Sequence, residues 1–206
     1  STRLPGKPLA DIAGKPMIQR VYERVSQATK TMYTIVATDD ERVFKTVQGF
    51  GGTVMMTNPN HPTGTDRLAE VAAQYTDLDV IINVQGDEPM IDFTLIDDLA
   101  RLFEDDPNLQ MATVATPLLE EEYDEPSAVK VVLNNRNDAM YFSRSLIPYP
   151  RQDFVKAPLK HIGIYAYRRD FLLNYANMEP TAAEQTESLE QLRALENGYT
   201  IRVILT

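Results

Sequence analysis

Two cations four residues apart, Arg3 and Lys7, sit in the opening segment Ser1-Thr2-Arg3-Leu4-Pro5-Gly6-Lys7-Pro8-Leu9. Two prolines stiffen it, and Gly6 lets backbone N–H groups come close to a ligand. Cations and exposed amides in a preset loop suit a triphosphate, which takes charge-assisted hydrogen bonds. Taken alone, the same segment also reads as a solvated basic loop. A second group, Gln85-Gly86-Asp87-Glu88-Pro89, follows an apolar run. Asp87 there could meet Mg²⁺, which binds one or two carboxylates together with substrate phosphates; it could also simply cap the next helix. Gly64-Thr65-Asp66-Arg67 offers a hydroxyl, amides and a guanidinium to a base or ribose, or a plain helix N-cap at Thr65 or Asp66.

Three further sets are polar in a different way. His161 and Tyr165 are four apart in a run that alternates as a strand does, so they point to one face. With Arg144 and Lys160 close in sequence, they could hold a carboxylate and hydroxyls, or be ordinary packing. On a helix, Glu184, Glu187 and Gln191 fall in one narrow stripe, with Leu189, Leu192 and Leu195 on the neighbouring face. That stripe reads as a polar wall for sugar hydroxyls or as a solvated acidic face. The two histidines, His61 and His161, lack metal-ligand spacing to each other.

These groups need elements to position them. Tyr33–Thr38 reads as a strand, and Asp40–Gln48 as a helix ending at Gly49. Thr53–Thr57 is a second strand, and a proline loop leads into a helix carrying Leu68, Val71, Ala72 and Tyr75. Val80-Ile81-Ile82-Asn83-Val84 is nearly all apolar, as befits a central strand buried on both faces. Asp92–Phe103 is helical and Met111–Ala115 is a strand. The rhythm predicts an α/β fold: a Rossmann-like, three-layer arrangement around a mostly parallel mixed sheet, with ligands beyond the carboxyl ends of its strands. Asp39 and the Gln85–Pro89 loop fall at such ends. After Pro117, strands at Val129–Leu133, Ala139–Phe142 and His161–Tyr167 elaborate the same single domain, residues 1–206.

Composition narrows the class. The chain of 206 residues has a formal net charge of −10, which disfavours a nucleic-acid partner. It has no cysteine, which excludes disulfides, a Cys nucleophile and Cys-based metal sites, and fits a cytoplasmic protein. No run approaches the roughly 18 apolar residues of a membrane span. Both ends read as cut: Ser1 starts in a loop and Thr206 follows an apolar run directly.

In order, STRLPGKPL, GTDRLAE, INVQGDEP, VKVVL with YFSRSLIP, KHIGIYAYR and ESLEQLR resemble the 3-deoxy-manno-octulosonate (KDO) cytidylyltransferases, or CMP-KDO synthetases, over essentially the whole chain. The resemblance implies a nucleotidyltransferase that joins KDO to CTP, giving CMP-KDO and pyrophosphate for lipopolysaccharide assembly. Another sugar acid, such as sialic acid or 8-amino KDO, or a non-catalytic nucleotide-binding relative, are the alternatives. It implies that Arg3 and Lys7 hold the triphosphate, and that Gly64, Thr65 and Arg67 lie near the cytidine. Asp87 would be a Mg²⁺ ligand and, with Lys7, catalytic. Gln85, Arg144, His161, Tyr165, Glu187 and Gln191 would surround the sugar acid. It also implies a homodimer, with 129–158 as a candidate interface. The sequence departs from the family in lacking an apolar strand with an Ala-Arg pair before STRLPGKPL and a GVDTPED-type segment with a second metal-binding Asp. A chain with these ends is expected to bind metal poorly and turn over weakly.

Overall fold

A computed structural model describes residues 6–152 and 154–206. After a 3-10 turn at Lys7–Leu9 come a two-residue hairpin, β1 (Asp11–Ile12) and β2 (Lys15–Pro16), and helix α1 (Met17–Val25). Then follow β3 (Val36–Thr38), α2 (Glu41–Gly49), β4 (Val54–Met56), α3 (Gly64–Gln74), β5 (Val80–Asn83), α4 (Thr94–Asp105) and β6 (Met111–Pro117). The remainder is β7 (Lys130–Leu133), β8 (Ala139–Ser143), β9 (Leu159–Arg168), α5 (Arg169–Tyr175), α6 (Ala182–Glu187), α7 (Gln191–Glu196) and β10 (Ile201–Leu205). The expected strands and the helices before residue 106 are present, with ends moved by a few residues.

Local chemistry explains the helix starts. Asp40 is extended and its carboxylate accepts from the Arg42 N–H, so α2 begins with a filled N-cap. Thr63, and neither Thr65 nor Asp66, caps α3. The Thr63 hydroxyl accepts from Asp66 N, while the Asp66 carboxylate accepts from Thr63 N, a reciprocal capping box. Thr63 takes the role because it is the last extended residue after the proline loop. The helix expected to carry Glu184 through Gln191 is two helices. Ser188 adopts left-handed backbone (φ 51°) between α6 and α7, so the three polar residues do not share one stripe. Glu184 turns inward instead, accepting from Arg193 Nε at 2.8 Å and Nη2 at 2.5 Å.

The main sheet is mixed. β9 pairs antiparallel with β6 along one edge; its other edge is shared by β5 at one end and β7 at the other. β10 adds parallel to β6, and β8 adds antiparallel to β7. Strands β5, β6, β7 and β10 therefore run one way and β8 and β9 the other. Helices α5 and α7 pack on one face around Phe171, Leu172, Tyr175 and Leu192. On the other, α4 supplies Ile96, Leu99 and Phe103. Five consecutive residues of β6, Met111–Ala115, are buried between these layers, as in a central strand.

β5 was expected to be equally enclosed, yet all four of its residues are half-buried. It ladders with β9 on one edge, whereas β3 pairs with β4 in a separate parallel ribbon. Between β3 and β5 runs a cleft of about 690 Å³, walled by Ile18, Val36, Leu68, Val71, Ile81 and Ile96.

Candidate active site

The cleft ends on residues singled out from sequence. Gly64, Arg67, Gln85 and Gly86 all border it. Arg67 gathers the strand ends: its guanidinium donates to Asp39 at 2.9 Å, just past β3, and to the Thr57 hydroxyl, just past β4. The loop before α3 is fastened as well. Glu70 accepts from Asn58 N at 2.9 Å and contacts His61 Nε2 at 2.5 Å, and these bonds hold its carboxyl below the ordinary range. Asp87 lies in the turn after β5, where Lys7 Nζ donates to it at 2.5 Å. Both side chains remain well exposed, 38% and 43%. This brings Lys7 onto the carboxyl end of β5. Arg3 lies outside the described residues.

A ladder step links this group to the second. Tyr165 on β9 pairs with Asn83 on β5, two residues before Gln85. Between His161 and Tyr165 the β9 register jumps: Val114 faces Ile162, but Thr113 faces Tyr165. The jump places two extra residues in β9, an even number, so side-chain alternation survives. The two rings accordingly lie 5.2 Å apart, and Phe142 meets the His161 ring edge-on at 5.2 Å. Burial holds the imidazole neutral, its pKa lowered to about 4, and pushes the Tyr165 phenol well above its ordinary value.

Arg144 and Glu187 also meet. The Glu187 carboxylate accepts from the Ser143 hydroxyl at 2.6 Å and from Arg144 N at 2.9 Å. The Arg144 guanidinium donates to three carbonyls, those of Glu187, Pro126 and Ser188. Its five N–H groups are thus partly spent on fixing backbone. Gln191 is buried at the start of α7. Beside it, burial raises the Glu190 carboxyl, with the Thr65 hydroxyl working against the shift, so the nucleotide-side segment and α7 are neighbours.

Sequence reasoning passed over Lys130 and Thr113. Lys130 is the one charge in an otherwise apolar run, Val129–Leu133, and it is wholly buried. Its Nζ donates to the carbonyls of Glu125 (2.8 Å) and Arg144 (3.1 Å). Thr113 is a β-branched residue in a β-run and carries no local signal; only its cross-strand partners mark it.

A mixed, helix-covered sheet with cation, carboxylate and guanidinium at its strand ends defines an α/β nucleotide-handling protein. The family described as Cytidylyltransferase matches residues 1–201, and the chain belongs to it. The chain is 54% identical over 202 residues to the 3-deoxy-manno-octulosonate cytidylyltransferase of Escherichia coli, covering 98% of this chain and 82% of that one. With the enzyme of the same name from Syntrophotalea carbinolica it shares 52% over 216 residues, covering 100% and 86%. Among solved structures, a CMP:2-keto-3-deoxy-manno-octonic acid synthetase complexed with CTP superposes with a TM-score of 0.96 at 52% identity, over 100% of this chain and 85% of that one. A Leptospira borgpetersenii cytidylyltransferase, 15% identical with a TM-score of 0.63 over 100% of this chain and 71% of that one, shares the fold.

Proposed function

We propose that this chain couples CTP to KDO, releasing pyrophosphate and forming CMP-KDO, in the cytoplasm and for lipopolysaccharide assembly. The observation that carries the reading is the junction of Lys7 with Asp87 at the end of β5, one ladder step from the Tyr165–His161 group. A nucleotide site and a sugar-acid site would then share one strand end. Relatives named for this reaction are about half identical over the whole chain.

The chemistry asked of the protein is mainly orientation of two anions that repel each other. Lys7, with Arg3, would hold the triphosphate; Gly64, Thr65 and Arg67 would border the cytidine. Gln85, Arg144, His161, Tyr165, Glu187 and Gln191 would border the sugar acid. The anomeric hydroxyl of KDO attacks the α-phosphorus in line and gives up its proton to water, the bond to the bridging oxygen breaks and pyrophosphate leaves. Asp87 is a lone exposed carboxylate, and among the described residues no cluster of three or more His, Asp or Glu is present. That donor set suits Mg²⁺, which completes its shell with phosphates and water. When bound, Mg²⁺ would offset charge on the phosphates. Lys7 must release Asp87 for this, and a triphosphate is the anion that would draw it away.

We further propose a homodimer through 129–158, where Met140, Tyr141, Tyr149 and Val155 expose apolar surface. No helix among the described residues is long and apolar enough to cross a membrane.

Calorimetry and pyrophosphate release test the reading together. CTP should bind more tightly with Mg²⁺, and release should require KDO. Equal or faster turnover with sialic acid or 8-amino KDO would reassign the substrate; absence of metal-dependent CTP binding would make the chain a non-catalytic relative.

A further inference from the structure

Thr113 lies in the middle of β6 and is 0% exposed, so its hydroxyl bonds only within the protein. Three groups surround Oγ1: the carbonyl oxygen of Ile164 at 2.7 Å, that of Ile162 at 3.3 Å, and His161 Nε2 at 2.9 Å. A hydroxyl has one proton, and carbonyl oxygens can only accept. If that proton went to His161, Oγ1 would press a lone pair against the Ile164 oxygen at 2.7 Å with nothing between them. The proton therefore goes to Ile164. Oγ1 is then an acceptor toward the imidazole, and Nε2 must carry the ring hydrogen. A neutral imidazole holds one hydrogen, so Nδ1 is bare. Burial keeps the ring neutral, in agreement.

We propose that Thr113 is a positioning residue that fixes His161 as the Nε2–H tautomer, leaving Nδ1 as an acceptor for a hydroxyl of the sugar acid. The proposal rests on the reading that His161 borders that substrate. It divides labour within the site. A bare, neutral nitrogen repels a carboxylate and accepts only from a donor, so the acid group of the substrate is left to the cations. The alternation of β9 across its two-residue bulge makes this possible, because it turns the imidazole of His161 back onto Thr113 of the facing strand.

The test is nitrogen NMR on histidine-labelled protein. The chain has only two histidines, and His61→Gln assigns the spectrum. In the unmodified chain at neutral pH, His161 should show Nε2 as the protonated nitrogen and Nδ1 as the bare one. Thr113→Val, equal in shape, should lose that pattern, and Thr113→Ser should restore it. In turnover, Thr113→Val should raise KM for KDO about tenfold, the weight of one neutral hydrogen bond, with KM for CTP unchanged, and Thr113→Ser should stay near the original. A protonated Nδ1 in the unmodified chain overturns the proposal even if Thr113→Val does not fold. So does an unchanged spectrum in Thr113→Val, or a rise in both KM values alike. Failure of the proposed function would look different: no KDO-dependent turnover in the unmodified chain, whatever the spectrum.

Discussion

Acid should unfold this protein partly through one imidazole. In the folded chain His161 has its pKa lowered to about 4 by burial, against 6.5 for a free side chain. A base that binds its proton less readily when folded contributes stability that is whole above pH 6.5. That stability is lost as the pH falls toward 4, because the unfolded chain takes up a proton the native chain refuses. At about 1.4 kcal/mol per pH unit, the full loss over that window is about 3 kcal/mol, and about 2 kcal/mol of it falls by pH 5. Carboxyl groups that titrate in this window, such as Glu190, which burial raises, do so in both chains, so the difference between them isolates His161. The perturbation is His161→Phe, a ring of similar size that sits comfortably beside Phe142 and Tyr165. The assay is urea unfolding of both chains at half-unit steps of pH. The original chain should lose about 2 kcal/mol more than the variant between pH 7.5 and 5. Parallel curves would refute the reasoning, since they would mean the half-buried imidazole takes its proton as readily as an unfolded one.

Two other outcomes follow from the geometry. Asp87→Asn should cut turnover at least a hundredfold while changing unfolding free energy by no more than about 1 kcal/mol, because its ion pair with Lys7 is well exposed; steady-state kinetics beside a melt would show it, and undiminished turnover would remove Asp87 from the metal's shell. Glu184→Ala should destabilise by about 3–5 kcal/mol, since it strands Arg193 at 7% exposure, and adding Arg193→Met should recover most of the loss; denaturant unfolding of the single and double variants would decide, with additive losses counting against the pair.

The β-α-β rhythm was legible because each element carries its own period: an apolar Val80–Ile82, an Asp40 cap, a stripe of Leu and Val on α3. The carboxyl ends of those strands then located Asp39, Gln85 and Asp87 without coordinates. What stayed hidden depends on partners distant in sequence. Ser188 breaks a helix because the Glu184–Arg193 pair and the Arg144 guanidinium claim the carbonyls and carboxylates around it, and nothing in ESLEQLR signals that. Lys130 is buried because two loop carbonyls, at Glu125 and Arg144, converge on its ammonium. β5 is half-exposed because, among the described residues, only its β9 edge is laddered.

Among the described residues, β9 is the only strand that touches β5, β6 and β7. During synthesis β5 and β6, whose apolar runs at Val80–Ile82 and Met111–Ala115 emerge early, have no edge to join until residues 159–168 leave the ribosome, and β7 has only β8. The β3–β4 and β7–β8 pairs can close on their own, but the sheet that carries both halves of the site cannot. The nascent chain must therefore shelter two sticky segments for much of its synthesis, and the catalytic centre comes into being all at once, when one late strand zips the earlier ones together.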